Sequence, residues 1–249
     1  TICLVGSEMC IRDSNMALPQ LNNPTYELNL PSTKQKISYR PFLVKEQKIL
    51  MMAQETNKSS DLIKATSDIV KTCTFGAIRK PEDLPTYDME YLFLKIRGKS
   101  VGDKVTLNLL CPDDEKTRVM TEIDLNDVKL KGEPKKEEVI QLTDDIGITL
   151  TYPKVKDLMG IDTDASAVKL TFDVIASTTK NIYDKDNVYE DFTKEELSDF
   201  IDSLNSEQFE KIQQFYEGTP KLSHKVKVKN PKTEVESEIE IEGLQSFLE

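Results

Sequence analysis

Apolar and polar positions alternate with one period, then another, along the chain. Tyr26, Leu28 and Leu30 alternate with polar neighbours, as do Ile37 and Tyr39, which predicts two short strands around a turn at 31–36. A helix is expected over Val44–Glu55, with 49–53 apolar all round and therefore buried. Ser60 can cap a second helix whose Leu62, Thr66, Ile69, Val70 and Cys73 fall on one stripe. A third starts at Thr86 or Asp88, carries Met89, Leu92, Phe93 and Ile96 on one face, and is expected to end at Gly98.

Period two returns at Val101. Val105, Leu107 and Leu109, the CPDDEKT turn, then Val119, Thr121, Ile123 and Leu125 make a hairpin. Residues 129–138 read as a charged connection, and 139–142 with 146–152 supply further strands. From Pro153 the helical period resumes, with Val155, Leu158 and Met159 in a short piece. Val168, Phe172, Ile175, Ala176 and Thr179 mark a longer one. Thr193 and Glu196 form a capping box ahead of Leu197, Phe200, Ile201 and Leu204. Asn205 or Ser206 caps the next helix, with Phe209, Ile212, Phe215 and Tyr216, ended by Gly218 and Pro220.

The last third closes on KVKVKNPKTEVESEIEIE, two alternating runs about a turn at 230–233. With Asn230 opposite Thr233, Lys229 faces Glu234, Lys227 faces Glu236 and Lys225 faces Glu238. The other face carries Val226, Val228, Val235, Ile239 and Ile241, with His224 opposite Ile239. A helix-like tail follows at 244–248. Together these elements predict an α+β protein: a helical body with N-terminal short strands, a small inserted antiparallel β module and a C-terminal β-hairpin. The expected division is 16–100 (extended segment plus helices), 101–152 (the β module) and 153–249 (helices plus hairpin).

Composition narrows the function. The chain carries 33 Lys+Arg against 44 Asp+Glu, net −11, which argues against a nucleic-acid binder, whose phosphate contacts need clustered cations. No apolar run approaches the roughly 18 residues of a transmembrane helix. Residues 1–15, TICLVGSEMCIRDSN, read as sequencing-adapter read-through, with Met16 opening MALPQLN. Without them Cys73 and Cys111 are the remaining thiols, which points to a reducing compartment.

Catalytic signals are weak. The single histidine, His224, has no local nucleophile or orienting group. In Cys111-Pro-Asp-Asp an aspartate stands where a zinc knuckle needs a second cysteine, so an ordinary turn or a knuckle that has lost its metal are the readings. The doublets Asp113/Asp114, Asp144/Asp145 and Glu195/Glu196 suit solvated surface, and DKDNVYED at 184–191 lacks the glycine and final glutamate of a calcium loop. No phosphate-binding glycine motif is present, so no metal and no cofactor is expected. The alternative kept open is a hydrolase using paired carboxylates such as Glu115 and Asp145; an acidic mimic of nucleic acid is opposed by the interspersed lysines.

Three segments make a binding role more specific. ELNLPSTKQKISYRPFLVKEQKILMMAQE (27–55), DMEYLFLKIRGKSVGD (88–103) and FYEGTPKLSHKVKVKNPKTEVESEIEIEGLQSFLE (215–249) resemble the opening, middle and closing blocks of the T4-like bacteriophage baseplate proteins, a family with a hub subunit or hub-assembly factor among its members. The resemblance implies a contractile-tailed phage and a non-enzymatic product. It would act in the infected host cytoplasm or the virion baseplate, as hub subunit or chaperone, with hub and tape-measure proteins as partners and neither nucleic acid nor membrane. No catalytic residue is carried over. In this otherwise acidic chain, Arg40, Lys45 and Lys48 beside Tyr39 and Phe42 are the expected partner-binding patch, since Arg and aromatics are enriched where interfaces are strongest. The competing reading puts Tyr39 and Phe42 in the core, with the charges as a solvated rim.

Overall fold

A computed structural model describes residues 22–56, 58–159 and 167–247. Among these, seven α-helices and eleven strands form a mixed α+β fold with four small antiparallel sheets, the class the patterning predicts. The segment 1–15, read as adapter read-through, lies outside the described residues.

α3 (Thr86–Val101) organises the core. Its buried apolar residues lie on more than one side, so the helix packs against several neighbours at once. Met89, Leu92, Phe93 and Ile96 enter a first cluster, shared with the hairpin of β1 (Tyr26–Asn29) and β2 (Lys36–Tyr39) and with α2 (Ser59–Cys73), where Ile69, Val70 and Cys73 point inward. Tyr87 enters a second and Leu94 a third. The helix runs past Gly98, contrary to expectation. A Cβ there would stand 3.1 Å from an Asp103 oxygen and 3.9 Å from Leu125, so the glycine serves close approach rather than termination. Gly102, with φ +128°, follows the last turn.

The strands of 101–152 are divided among three sheets. β3 (Lys104–Leu110) and β4 (Arg118–Asp124) pair with each other as the expected hairpin, with Leu107 opposite Thr121. The charged connection contains a strand that periodicity missed, β5 (Lys129–Lys131), because three residues are too few to establish a period. β5 is the outer neighbour of β10 (Lys221–Lys229), which pairs on its other side with β11 (Glu236–Glu242). β6 (Glu137–Gln141) and β7 (Gly147–Thr151) continue into β8 (Thr179–Tyr183) and β9 (Val188–Tyr189) as a four-stranded sheet. Beyond β7 come α4 (Val155–Met159) and α5 (Ala167–Thr178), and the chain passes from α5 straight into β8, so Thr179 begins a strand. α6 (Lys194–Asp202) and α7 (Ser206–Glu217) complete the second cluster over this sheet, through Leu197, Ile201, Ile212 and Phe215. Both expected caps are present: Thr193 Oγ accepts from Glu196 N–H at 3.1 Å, and Asn205 Oδ1 from Gln208 N–H at 2.9 Å. The expected Ser60 cap is not, since α2 starts two residues earlier than that cap implies, with Lys58 as its cap position.

Three hairpin loops share one geometry: a residue, then proline, two more residues, and a fifth in the left-handed region. In Leu30-Pro-Ser-Thr-Lys34, Cys111-Pro-Asp-Asp-Glu115 and Asn230-Pro-Lys-Thr-Glu234 the fifth residue has φ of 57°, 51° and 59°. Its N–H donates to the first carbonyl at 2.9, 3.0 and 2.9 Å. The third loop corrects the C-terminal register. It holds four residues, so Asn230 N–H meets the Val235 carbonyl and Lys229 lies opposite Glu236, Lys227 opposite Glu238 and Lys225 opposite Glu240. The shift is two residues, which preserves the faces. Val226, Val228 and Ile241 are buried, Val235 is exposed, and His224 lies opposite Ile241 rather than Ile239.

The first loop is tied to α3 by a buried carboxylate. Asp88, fully buried, accepts from Ser32 N–H at 3.0 Å and from the Ser32 hydroxyl. Burial pushes its carboxyl above the ordinary range, and the two hydrogen bonds from Ser32 recover only part of that shift. A raised carboxyl pKa means the folded state keeps its proton to higher pH than the unfolded chain does. Stability therefore falls as pH rises from the unfolded to the folded value, and the charge is a standing cost above both. Asp88→Asn removes the charge and keeps an acceptor for Ser32 N–H. Thermal melts between about pH 4 and pH 8 should show a midpoint at neutral pH no lower than wild type and a shallower dependence on pH; a large drop at neutral pH would disprove the assignment.

Candidate docking surface

The sequence places a proline and two bulky residues, Pro41, Phe42 and Leu43, between β2 and α1 (Val44–Glu55), so the helix start needs an acceptor from elsewhere. Glu46, in the first turn and buried, supplies it by accepting from Leu43 N–H at 2.7 Å. Its other oxygen meets the Arg40 guanidinium at 2.9 Å. Arg40 also donates to the Pro41 carbonyl at 2.8 Å, and its backbone N–H to the Cys73 carbonyl at 2.9 Å. Burial works against the Glu46 charge, but the hydrogen bonds from Arg40 and Leu43 outweigh it and hold its carboxyl below the usual range. Cys73, in the same pocket, has its thiol pushed up to about 11 by burial, which makes it a packing residue and not a nucleophile.

These contacts separate the expected patch into two groups. Tyr39 and Phe42 are core residues, 4% and 8% exposed. Tyr39 lies against Tyr26 with centroids 5.7 Å apart and the rings tilted by 34°, burial lifts its hydroxyl to about 12, and Phe42 N–H donates to Ser100 Oγ at 2.9 Å. Arg40 is enclosed in the ion pair. Lys45 and Lys48 stand in solvent, with Lys45 Nζ 3.6 Å from the Glu46 carboxylate.

The solvent face of α1 is unusual. Only Glu46, Ala53 and partly Leu50 face inward, spaced as i, i+4 and i+7. The apolar run at 49–53 is buried only at Ala53 and partly at Leu50: Ile49 is 45% exposed, Met51 54% and Met52 66%, and Val44 adds 66%. A twelve-residue helix against a single neighbouring surface can bury only one stripe, so a continuous apolar run must put part of itself in water. Val44, Lys48, Met51 and Glu55 line the outward side at helical spacing. Phe75, just past α2, is 61% exposed with φ +55°, and the Arg40–Cys73 bond brings that end of α2 beside the start of α1. Contiguous exposed apolar surface rimmed by charge marks an interaction site.

A family model described as T4 bacteriophage base plate protein matches residues 23–249. The chain belongs to that family. The match spans all three segments that carry the resemblance. Neither curated proteins nor solved structures give a match.

In this baseplate protein the candidate chemical groups serve the fold. Asp114, in the knuckle position, accepts from Lys116 N–H at 3.1 Å, Thr117 N–H at 2.9 Å and Thr117 Oγ at 2.6 Å. The Thr117 hydroxyl bond and these backbone bonds hold its carboxyl far below the usual range. Asp113 accepts from Asn230 Nδ2 at 3.0 and 3.1 Å and from the Thr233 hydroxyl, fastening the second hairpin loop to the third. Cys111 is a buried free thiol. Asp184 accepts from Asp186 and Asn187 N–H at 2.8 Å and from the Tyr189 hydroxyl at 2.8 Å, so the faint calcium-loop segment is the turn of the β8–β9 hairpin. Glu115 sits at the β3–β4 loop, while Asp145, at the β6–β7 loop, pairs with Lys185 at 2.9 Å; the two belong to different sheets. Among the described residues no group of three or more metal-ligating side chains converges, and no helix is long and apolar enough to cross a membrane.

Proposed function

We propose that the protein acts in assembly of the baseplate hub, as a hub subunit or an assembly chaperone, by binding hub and tape-measure proteins and without covalent chemistry. Its place in the baseplate family carries the reading. The outward face of α1 supports a role in binding, with Lys45 and Lys48 flanking exposed methionines. Methionine is flexible and polarisable, and suits a surface that must fit a partner of irregular shape. Tyr39, Arg40 and Phe42 contribute indirectly, by holding α1 in place. The acidic balance of the chain supports protein rather than nucleic-acid partners.

The test is co-expression of the tagged chain with the tail proteins encoded beside it, followed by capture and mass spectrometry. Recovery of a hub or tape-measure protein in stoichiometric amount is expected. Recovery of the chain free of every other tail protein would refute the assembly role. Proteomics of finished particles then separates the two forms of it: a subunit remains, a chaperone does not.

A further inference from the structure

The apolar face of α1 has a complement elsewhere in the same chain. Residues 40–80, which hold α1 and α2, carry eight basic and four acidic side chains in a chain of net charge −11. Five large apolar residues stand exposed there: Val44, Ile49, Met51, Met52 and Phe75. Residues 184–217, which hold β9, α6 and α7, carry eleven carboxylates and three lysines. Between the β8–β9 hairpin and α6 lies an open groove of about 370 Å³, floored by Ile182, Leu197 and Phe200 and flanked by Tyr189 and Phe192. Its rim carries Asp184, Asp191 and Glu196, and Tyr189 beside them is 48% exposed. One surface is a protruding apolar ridge with basic flanks; the other is an apolar hollow with acidic flanks. Both are exposed in the single chain, so neither covers the other within one molecule.

We infer that a second copy of this chain docks its α1 face into the β8–β9/α6 groove of the first. The inference rests on the reading of α1 as a contact surface and names an occupant for it. The hollow is too small for a whole helix, about 10–12 Å across, but takes projecting side chains. Met51 and Met52 are unbranched and adapt to such a space. Lys45 and Lys48 then meet the acidic rim, which sets orientation and speeds encounter more than it adds affinity. The two surfaces differ, so the contact is heterologous: copies join head to tail, and they close into a ring where the rotation permits. A nucleic acid suits the α1 face less well, because its exposed centre is Val and Met and the groove side would repel phosphates.

The experiment uses the full chain, nuclease-treated, in sedimentation velocity over a concentration series at low and high salt. Wild type should self-associate, more weakly as salt rises. Lys48→Glu and, separately, Asp191→Lys change only exposed residues, one on each of the two surfaces. Each should weaken self-association about tenfold or more, because like charges then face each other. Mixing the two variants should restore association, since each keeps the face the other has lost; a merely misfolded variant would not be rescued. A wild-type chain that stays monomeric throughout, or association that disappears on nuclease treatment, or a mixture that fails to associate, would overturn the inference. Capture of tail proteins separates this from the assembly role. A monomer that captures a hub protein through Lys45 and Lys48 overturns self-docking alone, and a self-associating chain that captures none overturns the assembly role alone.

Discussion

Glu46→Ala should lower stability by about 3–5 kcal/mol, the usual loss when one partner of a buried ion pair is removed and the other charge is left enclosed. The Arg40 side chain is only 12% exposed and would keep the Pro41 carbonyl as its remaining close oxygen. The Leu43 N–H loses its acceptor as well. For a chain of this length the thermal midpoint should drop by on the order of 10 °C. The sign with pH follows from the depressed carboxyl. Its contribution is complete above the unfolded value of about 4.3 and is lost as pH falls through the folded value, so the gap between wild type and variant should narrow in acid. Replacing both partners, Arg40→Met with Glu46→Leu, should recover much of the loss, because a packed apolar pair has no charge to desolvate. Urea unfolding of the three variants decides it; a single variant within about 0.5 kcal/mol of wild type would mean that the pair is dispensable. Because Glu46 also fixes the start of α1, the single variant should lose self-association while Lys45 and Lys48 remain intact.

The same pair shows what sequence alone can and cannot deliver. The bounds Val44–Glu55 were legible from period and composition, as were the α+β class, the two capping motifs before α6 and α7, and the β3–β4 hairpin. Each rests on chemistry within a few residues of itself. The direction in which α1 faces was not legible, because Val44, Ile49, Met51 and Met52 are apolar whether or not a neighbour arrives to cover them. The patch of Arg40 and its aromatic neighbours was likewise ambiguous. An arginine beside a tyrosine and a phenylalanine reads as an interface until Glu46 and Cys73 are seen to enclose it. β5 was hidden because its pairing with β10 spans some ninety residues of chain and its three residues are too few to establish a period. The C-terminal register slipped by two because loop length depends on a left-handed residue, and Glu234 gives no sign of that preference. The comparison with Leu30-Pro-Ser-Thr-Lys34 could have supplied it, since both loops place proline second and the left-handed residue fifth.

Phe247→Ala should cost about 3–5 kcal/mol, although the residue stands almost at the end of the chain. The GLQSF segment, one of those that carry the family resemblance, folds back over the C-terminal sheet. Gly243 takes φ +78° and its N–H donates to the Leu222 carbonyl at 2.8 Å, which turns the chain off β11. Ser246 Oγ donates to the Glu242 carbonyl at 2.8 Å, Phe247 N–H to the Leu244 carbonyl at 3.0 Å, and the Leu244 N–H reaches Glu90 of α3. The ring is thereby delivered, fully buried, among Leu94, Leu107, Leu125 and Leu222. These come from α3, the β3–β4 hairpin with its following turn, and β10, so the one side chain joins parts of the third cluster that share few backbone bonds. Removing it leaves a cavity that rigid hairpins cannot collapse into, which places the loss at the upper end for a phenylalanine. Met120→Ala is the control: on the same hairpin but 66% exposed, it should change stability by no more than about 0.5 kcal/mol. Urea midpoints for the two variants, with hydrogen exchange in β3, β4 and β10, provide the check. Loss of protection in all three strands on Phe247→Ala is the expected result, and protection unchanged in β3 and β4 would show that the hairpin stands without the C-terminal turn.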